Sequence, residues 1–241
     1  MNHCRLFFLA VLACLWGCLL PRSAAAGSES SWTAEPWREQ LWASWNSLHG
    51  DAYGLDAVGR RLEQGQHLDC DGQNLVRYAG SDIRYQGGVF VHPEFRERLA
   101  RFESLVAEVG REIYGRAPTR LRHAGAFNCR STRQRSYRIS EHALGNAIDI
   151  LGFDFGPAKR RAPLPAGLAK ALRRSFQVRV ARHWHEAASD PVATLHATFL
   201  RTLAARLEER GDVFRVMIGP SHRDHADHFH FDMSPWHYVN F

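Results

Sequence analysis

The sequence lacks the features that define several protein classes. Its 241 residues include only 10 Pro and 19 Gly, without a repeating pattern, which excludes a collagen-like or low-complexity chain. The longest apolar run, Leu6–Leu20, is about 15 residues long and falls short of the roughly 20 that a membrane-spanning helix needs. Lysine is nearly absent, so the net charge of +6 comes mainly from arginines spread along the chain, which does not indicate dedicated nucleic-acid binding. The length and average composition that remain suit one domain with extensions.

The amino end has the pattern of a secretory signal peptide. A short segment with Arg5 precedes the apolar run, and the small residues Ala24-Ala25-Ala26 follow it. We therefore expect residues 1–26 to be removed after Ala26 and the mature protein to be exported. A lipoprotein signal, in which Cys14 or Cys18 carries the lipid, is the alternative.

Cysteine is scarce in the mature chain. Cleavage removes Cys4, Cys14 and Cys18, which leaves only Cys70 and Cys129. In a protein exported to an oxidising compartment, such a pair predicts a disulfide. The loop that it closes, of about 60 residues, predicts a stabilisation of roughly 3 to 4 kcal/mol. A metal site built on the two cysteines is the disfavoured alternative.

Apolar periodicity indicates both helices and strands in the mature chain. The clearest helix begins at Pro93 and ends before Gly115, since apolar residues recur there every three or four positions. Together the segments predict an α+β domain, with a small antiparallel sheet flanked by helices. We divide the chain into a signal peptide at 1–26, an amino-terminal helix and irregular extension at 27–87, and the main domain at 88–241. Further helices are predicted at 30–49 (rich in Trp), 164–176 and 192–210, and strands at 120–127, 146–153, 214–218 and 228–233.

The last predicted strand carries a row of polar side chains. Successive side chains of a strand point to opposite faces, so His228, His230 and Asp232 share one face while the apolar residues between them face the core. A rigid strand of this kind can deliver imidazoles to a metal ion or to a substrate. A solvent-facing strand that contains histidines by chance is the alternative.

A second segment supplies partner groups for these histidines. His142 falls in a predicted loop, and Asp149 lies on the strand that follows it. If that strand pairs with the last one, Asp149 meets His230 on a common face, and His142 folds over the same point. Two His and one carboxylate, with a fourth position for water, form the ligand set of a catalytic zinc site. From the residues alone, either His228 or His230 can be the second imidazole ligand.

These motifs resemble those of a known superfamily. The element Ser-x-His-x-x-Gly-x-Ala-x-Asp from Ser140 to Asp149, followed by His228-x-His230, is similar to the peptidoglycan metallopeptidases that include lysostaphin, the D-Ala-D-Ala metallopeptidases and the hedgehog proteins. Within that group the chain looks most like the bacterial extensin-like C-terminal domain, over about residues 88 to 232. It contains no Pro-rich extensin repeat, which excludes a plant-type structural wall protein. Further supporting strings are Phe127-Asn128-Cys129-Arg130, Gly219-Pro220 and the segment from His225 to Asp232.

The resemblance implies a ligand set and a base. It implies that His142, Asp149 and His230 bind one zinc ion per chain, and that His228 stands beside the metal as a base or as a group that contacts the transition state. Asp227, three residues before His230, is a second candidate for the base, although strand alternation points it away from His228.

Three other residue positions complete the expected site. Arg130 is expected to stabilise the oxyanion that develops, because related enzymes place an Arg upstream of this element; Arg133 and Arg135 are its rivals. Ser140 is expected to orient the loop histidine or to bind a carboxylate of the substrate. His225 matches a family position and is expected to shape the substrate-binding cleft.

Together with the signal peptide, the resemblance implies an exported, zinc-dependent peptidase of the bacterial periplasm. It would hydrolyse amide bonds in the stem peptides or cross-links of peptidoglycan, as an endopeptidase or a carboxypeptidase. The expected partner is peptidoglycan, an anionic polymer that suits a basic surface, and neither nucleic acid nor a stable membrane span is expected. One alternative is a non-catalytic zinc-containing module that binds the cell wall. Another is a metal-dependent phosphoesterase or nuclease, which is disfavoured because such sites often use two metals and more carboxylates.

Overall fold

A computed structural model describes residues 68, 70, 74–133, 138–161, 163–185, 190–234 and 236–241. The predicted signal peptide and the predicted Trp-rich helix at residues 30–49 lie outside the described residues. Among the residues that are described, no helix is long and apolar enough to cross a membrane.

The first long helix, α1 (Pro93–Tyr114), has clear signals at both ends. It follows His92, whose Nδ1 accepts a hydrogen bond from the N–H of Glu94, and proline occupies its first position, where an N–H has no partner within the helix. It ends at Gly115, whose φ of 72° is the left-handed conformation that favours glycine. The helix predicted here is confirmed. Its buried stripe includes Phe95, Leu99, Phe102, Val106 and Val109.

The carboxyl-terminal half contains two more helices. A short helix α2 (Val180–His183) precedes the longer α3 (Pro191–Glu208). Helix α3 begins after Asp190, whose carboxylate accepts a hydrogen bond from the N–H of Val192 at 2.9 Å. It packs against α1 and thereby forms a helical layer. Its buried positions Phe199, Leu203 and Leu207 keep the predicted period.

A seven-stranded sheet forms the second layer. Two pairs are parallel, Arg84–Tyr85 with Arg120–Gly125 and Val216–Ile218 with Tyr238–Asn240, whereas the other neighbouring strands are antiparallel. The predicted α+β class is confirmed, and the sheet is mixed because its two edge strands run parallel to their neighbours. The order across the sheet is β2 (Arg84–Tyr85), β4 (Arg120–Gly125), β5 (Ala147–Phe155), β8 (Phe229–Asp232), β7 (Val216–Ile218) and β9 (Tyr238–Asn240), and β6 (Phe176–Arg179) pairs with the second half of β5. The strands β1 (Val76–Tyr78) and β3 (Val89–Val91) form a separate antiparallel pair.

The long strand β5 contains a bulge that organises both faces of the sheet. Ile150 pairs with His123 and Gly152 pairs with Arg122, so Leu151 has no opposite residue on β4. Gly152 has a φ of 150°, and a Cβ there would collide with the carbonyl oxygen of Val178. Because of the extra residue, apolar side chains on both sides of the bulge face the helices. The opposite face of β5 is left to polar side chains.

Aromatic rings fill the space between the two layers. Phe102 of α1 contacts Phe153 of β5 and Phe231 of β8, with ring centroids 6.4 and 5.6 Å apart. Phe199 of α3 contacts Phe153 and Phe155 edge-to-face, at 5.4 and 5.6 Å. The helices therefore cover one face of the sheet. The other face is the one that can hold a functional site.

The helix predicted at residues 164–176 is wrong. The segment contains one 3-10 turn (Lys170–Arg173), and Phe176 begins β6. Gly167 adopts a left-handed conformation with φ 77°, which interrupts a helical backbone. The ring of Phe176 stacks on Phe155 at 4.7 Å with an interplanar angle of 11°. Packing against β5 therefore overrides the local helical period.

Candidate metal centre

The first group of the centre, His142, lies in a tight turn before β5. The 3-10 turn Glu141–Leu144 begins at Ser140, whose Oγ accepts a hydrogen bond from the N–H of His142 at 3.3 Å. It ends at Gly145, with φ 63°, and a Cβ at this glycine would lie 2.9 Å from the backbone nitrogen of His92. Only glycine combines this conformation with this close approach. The turn thereby holds the imidazole over the polar face of the sheet.

Strand pairing brings the other two groups together. Asp149 of β5 lies directly opposite His230 of β8, while the neighbouring pair Ile148 and Phe231 faces the core. Directly opposed residues share a face, so the carboxylate and the imidazole meet. The contact predicted between Asp149 and His230 is confirmed.

Three donor atoms converge at this point. The Oδ1 of Asp149 lies 3.3 Å from the Nε2 of His142 and 2.9 Å from the Nδ1 of His230, and the two nitrogens are 3.3 Å apart. A tetrahedral ion with bonds of about 2.0–2.1 Å separates its ligand atoms by about 3.3 Å. The three groups can therefore hold a metal ion.

In both histidines, the ring nitrogen that points away from Asp149 makes a hydrogen bond that determines which nitrogen carries the lone pair. The Nδ1 of His142 donates to the carbonyl oxygen of Ala126 at 2.5 Å, and the Nε2 of His230 donates to Oδ2 of Asp232 at 2.9 Å. With these tautomers, both inner nitrogens and the Asp149 oxygen present lone pairs to one another. Such an arrangement requires a positive charge, either a proton or a metal ion, between the groups.

The charges of the site respond to the same contacts. Burial alone would raise the pKa of Asp149, but the contacts of this carboxylate with His142 and His230 outweigh it and hold the pKa well below its usual range. Burial alone would lower the pKa of His230, but its bonds to Asp149 and Asp232 raise it to about 10. Without a metal, His230 therefore carries a proton on each ring nitrogen, and its single positive charge offsets one of the two carboxylates. A metal ion has to displace the proton on Nδ1.

His228 stands beside the three groups and is oriented by Asp227. Its Nε2 is 3.7 Å from the Oδ1 of Asp149, and its Nδ1 is 2.7 Å from the Oδ1 of Asp227. The second imidazole of the metal group is thus that of His230. The expectation that Asp227 points away from His228 is wrong, because β8 begins only at Phe229 and strand alternation does not extend to Asp227.

The centre opens into a cleft of about 600 Å³ on the polar face of the sheet. Arg130 is half-buried in its lining, and burial and the repulsion from Arg133 lower its pKa. Arg133 also lines the cleft, whereas Arg135 lies outside the described residues. Ser140 is 6% exposed, and its contact with the His142 backbone supports the orienting role.

His225 lies in the cleft lining beside His228 and His230. Its ring centroid is 4.8 Å from that of His228 and 5.6 Å from that of His230. Its Nδ1 is 3.0 Å from the Nδ1 of His222, and both histidines line the cleft. Imidazole rings in tilted and edge-to-face contact therefore form one wall beside the three donor atoms.

The predicted disulfide between Cys70 and Cys129 is confirmed, with a Cα–Cα distance of 6.0 Å. It stands immediately before Arg130 in the chain, so it restrains the backbone from which this guanidinium extends.

Asp232 is the main residue of the site to which the sequence analysis gave no role, and it contacts the outer nitrogen of His230. Its place two residues after His230 on the same strand face was the available signal.

Comparison with known families agrees with this geometry. The family model described as extensin-like protein C-terminus matches residues 55–183, more than half of the chain. The chain belongs to this family. The extensin-like match includes His142 and Asp149 but ends before His228 and His230, so the structure alone joins the two halves of the centre. No curated protein and no solved structure matches the chain.

Proposed function

We propose that this extensin-like protein is an exported, zinc-dependent peptidase that hydrolyses amide bonds in peptidoglycan stem peptides or cross-links. The observation that carries the proposal is the convergence of one carboxylate oxygen and two imidazole nitrogens on an open cleft. Oxygen and imidazole ligands with a side open to substrate are typical of catalytic zinc sites, whereas closed structural sites more often use cysteine. When bound, zinc acts as a Lewis acid, which acidifies water and polarises a carbonyl.

His228 acts as the base in this proposal. Its Nδ1–H donates to the Asp227 carboxylate at 2.7 Å, so the Nε2 keeps its lone pair and faces the side of the site where Asp149 lies. The Nε2 takes the proton of the attacking water and returns it to the amine that leaves. Asp227 is a positioning residue, since it holds the tautomer of His228 and stabilises the imidazolium that forms.

Arg130 supplies positive charge to the substrate carbonyl. Its guanidinium lies in the cleft lining and interacts electrostatically with Asp149, which places it on the same side of the sheet as the metal group. A fixed cation beside the carbonyl oxygen stabilises the negative charge that develops there. The half-buried position strengthens this effect, because fewer water molecules screen it.

The proposed export and the proposed cell-wall substrate are supported by separate features. The signal-peptide pattern and the disulfide both suit an oxidising compartment such as the periplasm. Loss of residues 1–26 removes Arg5 and Arg22, which leaves a net charge of +4 (29 basic minus 25 acidic residues). A basic protein is attracted to an anionic wall polymer.

The proposal is tested with the mature chain, residues 27–241, loaded with zinc and incubated with purified muropeptides. Mass spectrometry of the products should show defined cleavage by the wild type and none by Asp149→Ala, which lacks the carboxylate ligand. His228→Ala should retain zinc but lose roughly 100- to 10,000-fold in rate. His185→Ala is the matched control, because this exposed histidine lies outside the cleft lining.

Two results would contradict the peptidase. One is a wild-type protein that holds one zinc ion per chain and binds muropeptides but releases no product, which identifies a non-catalytic wall-binding module. The other is hydrolysis that continues unchanged in the His228→Ala variant.

A further inference from the structure

One wall of the cleft is a ribbon rich in arginine. It consists of the two described segments 129–133 and 138–140. Ser131 and Ile139 form an antiparallel bridge, and the N–H of Thr132 donates to the carbonyl oxygen of Arg138 at 2.8 Å. The disulfide anchors one end of the ribbon, and its other end leads into the His142 turn. The disulfide therefore restrains the ribbon at one end, and the turn that carries His142 restrains it at the other.

Arg130, Arg133 and Arg138 of this ribbon all line the cleft. The guanidinium of Arg138 stacks over the ring of Trp236 at 4.2 Å. Arg130 donates to the carbonyl oxygen of Ser131 at 3.2 Å. Among the residues that the structure describes, neither Arg130 nor Arg133 is within ion-pair distance of a carboxylate. The two positive charges thus face the cleft without an acidic partner in that part of the chain.

The carboxylates that line the same cleft already have other partners. Asp149 contacts two imidazoles of the metal group and Asp232 contacts His230. Glu141 accepts a hydrogen bond from the Nδ2 of Asn146 at 2.9 Å, and Asp224 lies 3.6 Å from the Nε of Arg223. Like charges held close together repel, and this repulsion contributes to the lowered pKa of Arg130. An anion from outside the protein would relieve that repulsion. A guanidinium matches a carboxylate in geometry, since both are planar and can form two parallel hydrogen bonds.

We infer that Arg133 binds a carboxylate of the substrate, so that the cleft selects peptides with a free acid group close to the amide that is cut. This inference rests on the proposed peptidase function and narrows its substrate class. Arg130, which is deeper and interacts with Asp149, serves the reacting carbonyl. Arg133 is exposed at the rim and serves recognition. The carboxylate belongs either to the peptide's carboxyl terminus or to a side branch of the peptide.

The test compares three forms of one disaccharide-peptide: all carboxylates free, only the carboxyl-terminal one amidated, and all of them amidated. With zinc-loaded wild type, full amidation should raise KM about tenfold and leave kcat nearly unchanged, because a charge-assisted contact is lost. The form with a single amide shows whether the terminal or a side-branch carboxylate is bound. Arg133→Gln should show the same tenfold rise with the free acid and no discrimination between the three forms. Arg133→Lys should restore part of the preference.

Arg84→Gln is the matched control, because Arg84 is exposed on β2 and lies outside the cleft lining. Calorimetric binding of the same peptides to zinc-loaded His228→Ala gives a readout that does not depend on hydrolysis. Equal KM for acid and amide forms, or an unchanged preference in Arg133→Gln, overturns the subsite while the peptidase stands. Acid-dependent binding that Arg133→Gln abolishes, in a protein that cuts none of the peptides, supports the subsite and overturns the peptidase.

Discussion

Asp232 allows the metal centre to be perturbed without removing a ligand. Its side chain is buried, with the whole residue 4% exposed. Its Oδ2 accepts a hydrogen bond from the Nε2–H of His230 at 2.9 Å, and its Oδ1 accepts one from the N–H of Ser234 at 2.8 Å. Asp232→Ala removes both acceptors. Asp232→Asn keeps one of them and turns an amide NH2 towards the other donor.

Loss of such an outer contact costs roughly 10- to 100-fold in metal affinity, because the ring is no longer held in orientation and its inner nitrogen becomes a weaker donor. We expect the loss of zinc affinity in Asp232→Ala to approach the upper limit of this range, since no other acceptor of the His230 Nε2–H is found among the described residues. Asp232→Asn should lose about tenfold in zinc affinity. Asp154→Asn is the matched control: this carboxylate of β5 binds Arg122 and Arg179, at 2.8 and 2.7 Å, and contacts no residue of the metal group.

The assay is competition for zinc against a chromogenic chelator, with folding of each variant checked by circular dichroism. The control should change the free energy of unfolding but not the zinc Kd. A zinc Kd for Asp232→Ala within about twofold of the wild type would refute the reasoning, because the outer contact would then contribute nothing to metal binding.

Three further predictions concern the free energy of unfolding. Glu103 is buried, and its carboxylate accepts hydrogen bonds from the Tyr78 hydroxyl and from three backbone N–H groups of residues 81–83. We expect Glu103→Ala to lower the free energy of unfolding in urea by about 3 to 5 kcal/mol, against less than about 0.5 for the exposed Glu97→Ala; a loss under about 1 kcal/mol for Glu103→Ala contradicts this. Burial and the neighbouring His183 ring lower the pKa of His196 to about 4, below the 6.5 of an unfolded chain, so stability should be lost as pH falls from about 6.5 towards 4, by up to about 3 kcal/mol. His196→Gln should flatten that part of a stability-against-pH curve, and an equally steep curve argues against the assignment. Reduction of the Cys70–Cys129 disulfide, which closes a loop with a sequence separation of 59 residues, should lower the free energy of unfolding by about 4 kcal/mol, whereas a free thiol in the native oxidised protein excludes the pairing.

Local sequence patterns were sufficient for the long elements and for the faces of the strands. The helix from Pro93 to Gly115 carries its own start and stop signals, so its bounds do not depend on distant residues. Alternation in the last strand separated His230 from Phe231 because a strand has a period of two wherever it lies. The cysteine count and the predicted export together predicted the disulfide, since the chain that would remain after cleavage at Ala26 has no other cysteine with which either residue could pair.

Features that depend on long-range packing could not be predicted from local patterns. Phe176 belongs to a strand because its ring stacks on Phe155, which no local period can indicate. Asp227 contacts His228 because β8 begins one residue later than predicted.

Residue type and strand period are local properties, so the amino-acid sequence was sufficient to identify the residues that can bind a metal and the strand face that each one occupies. The family resemblance added His230 as the second imidazole ligand, and the fold brings it to the other two groups. The contact of Asp232 with the outer nitrogen of His230, and the place of Arg133 in the lining of the same cleft, became apparent only in the folded chain. The first depends on the register between β5 and β8, which follows from burial of the aromatic core between sheet and helices and so involves residues far apart in the chain.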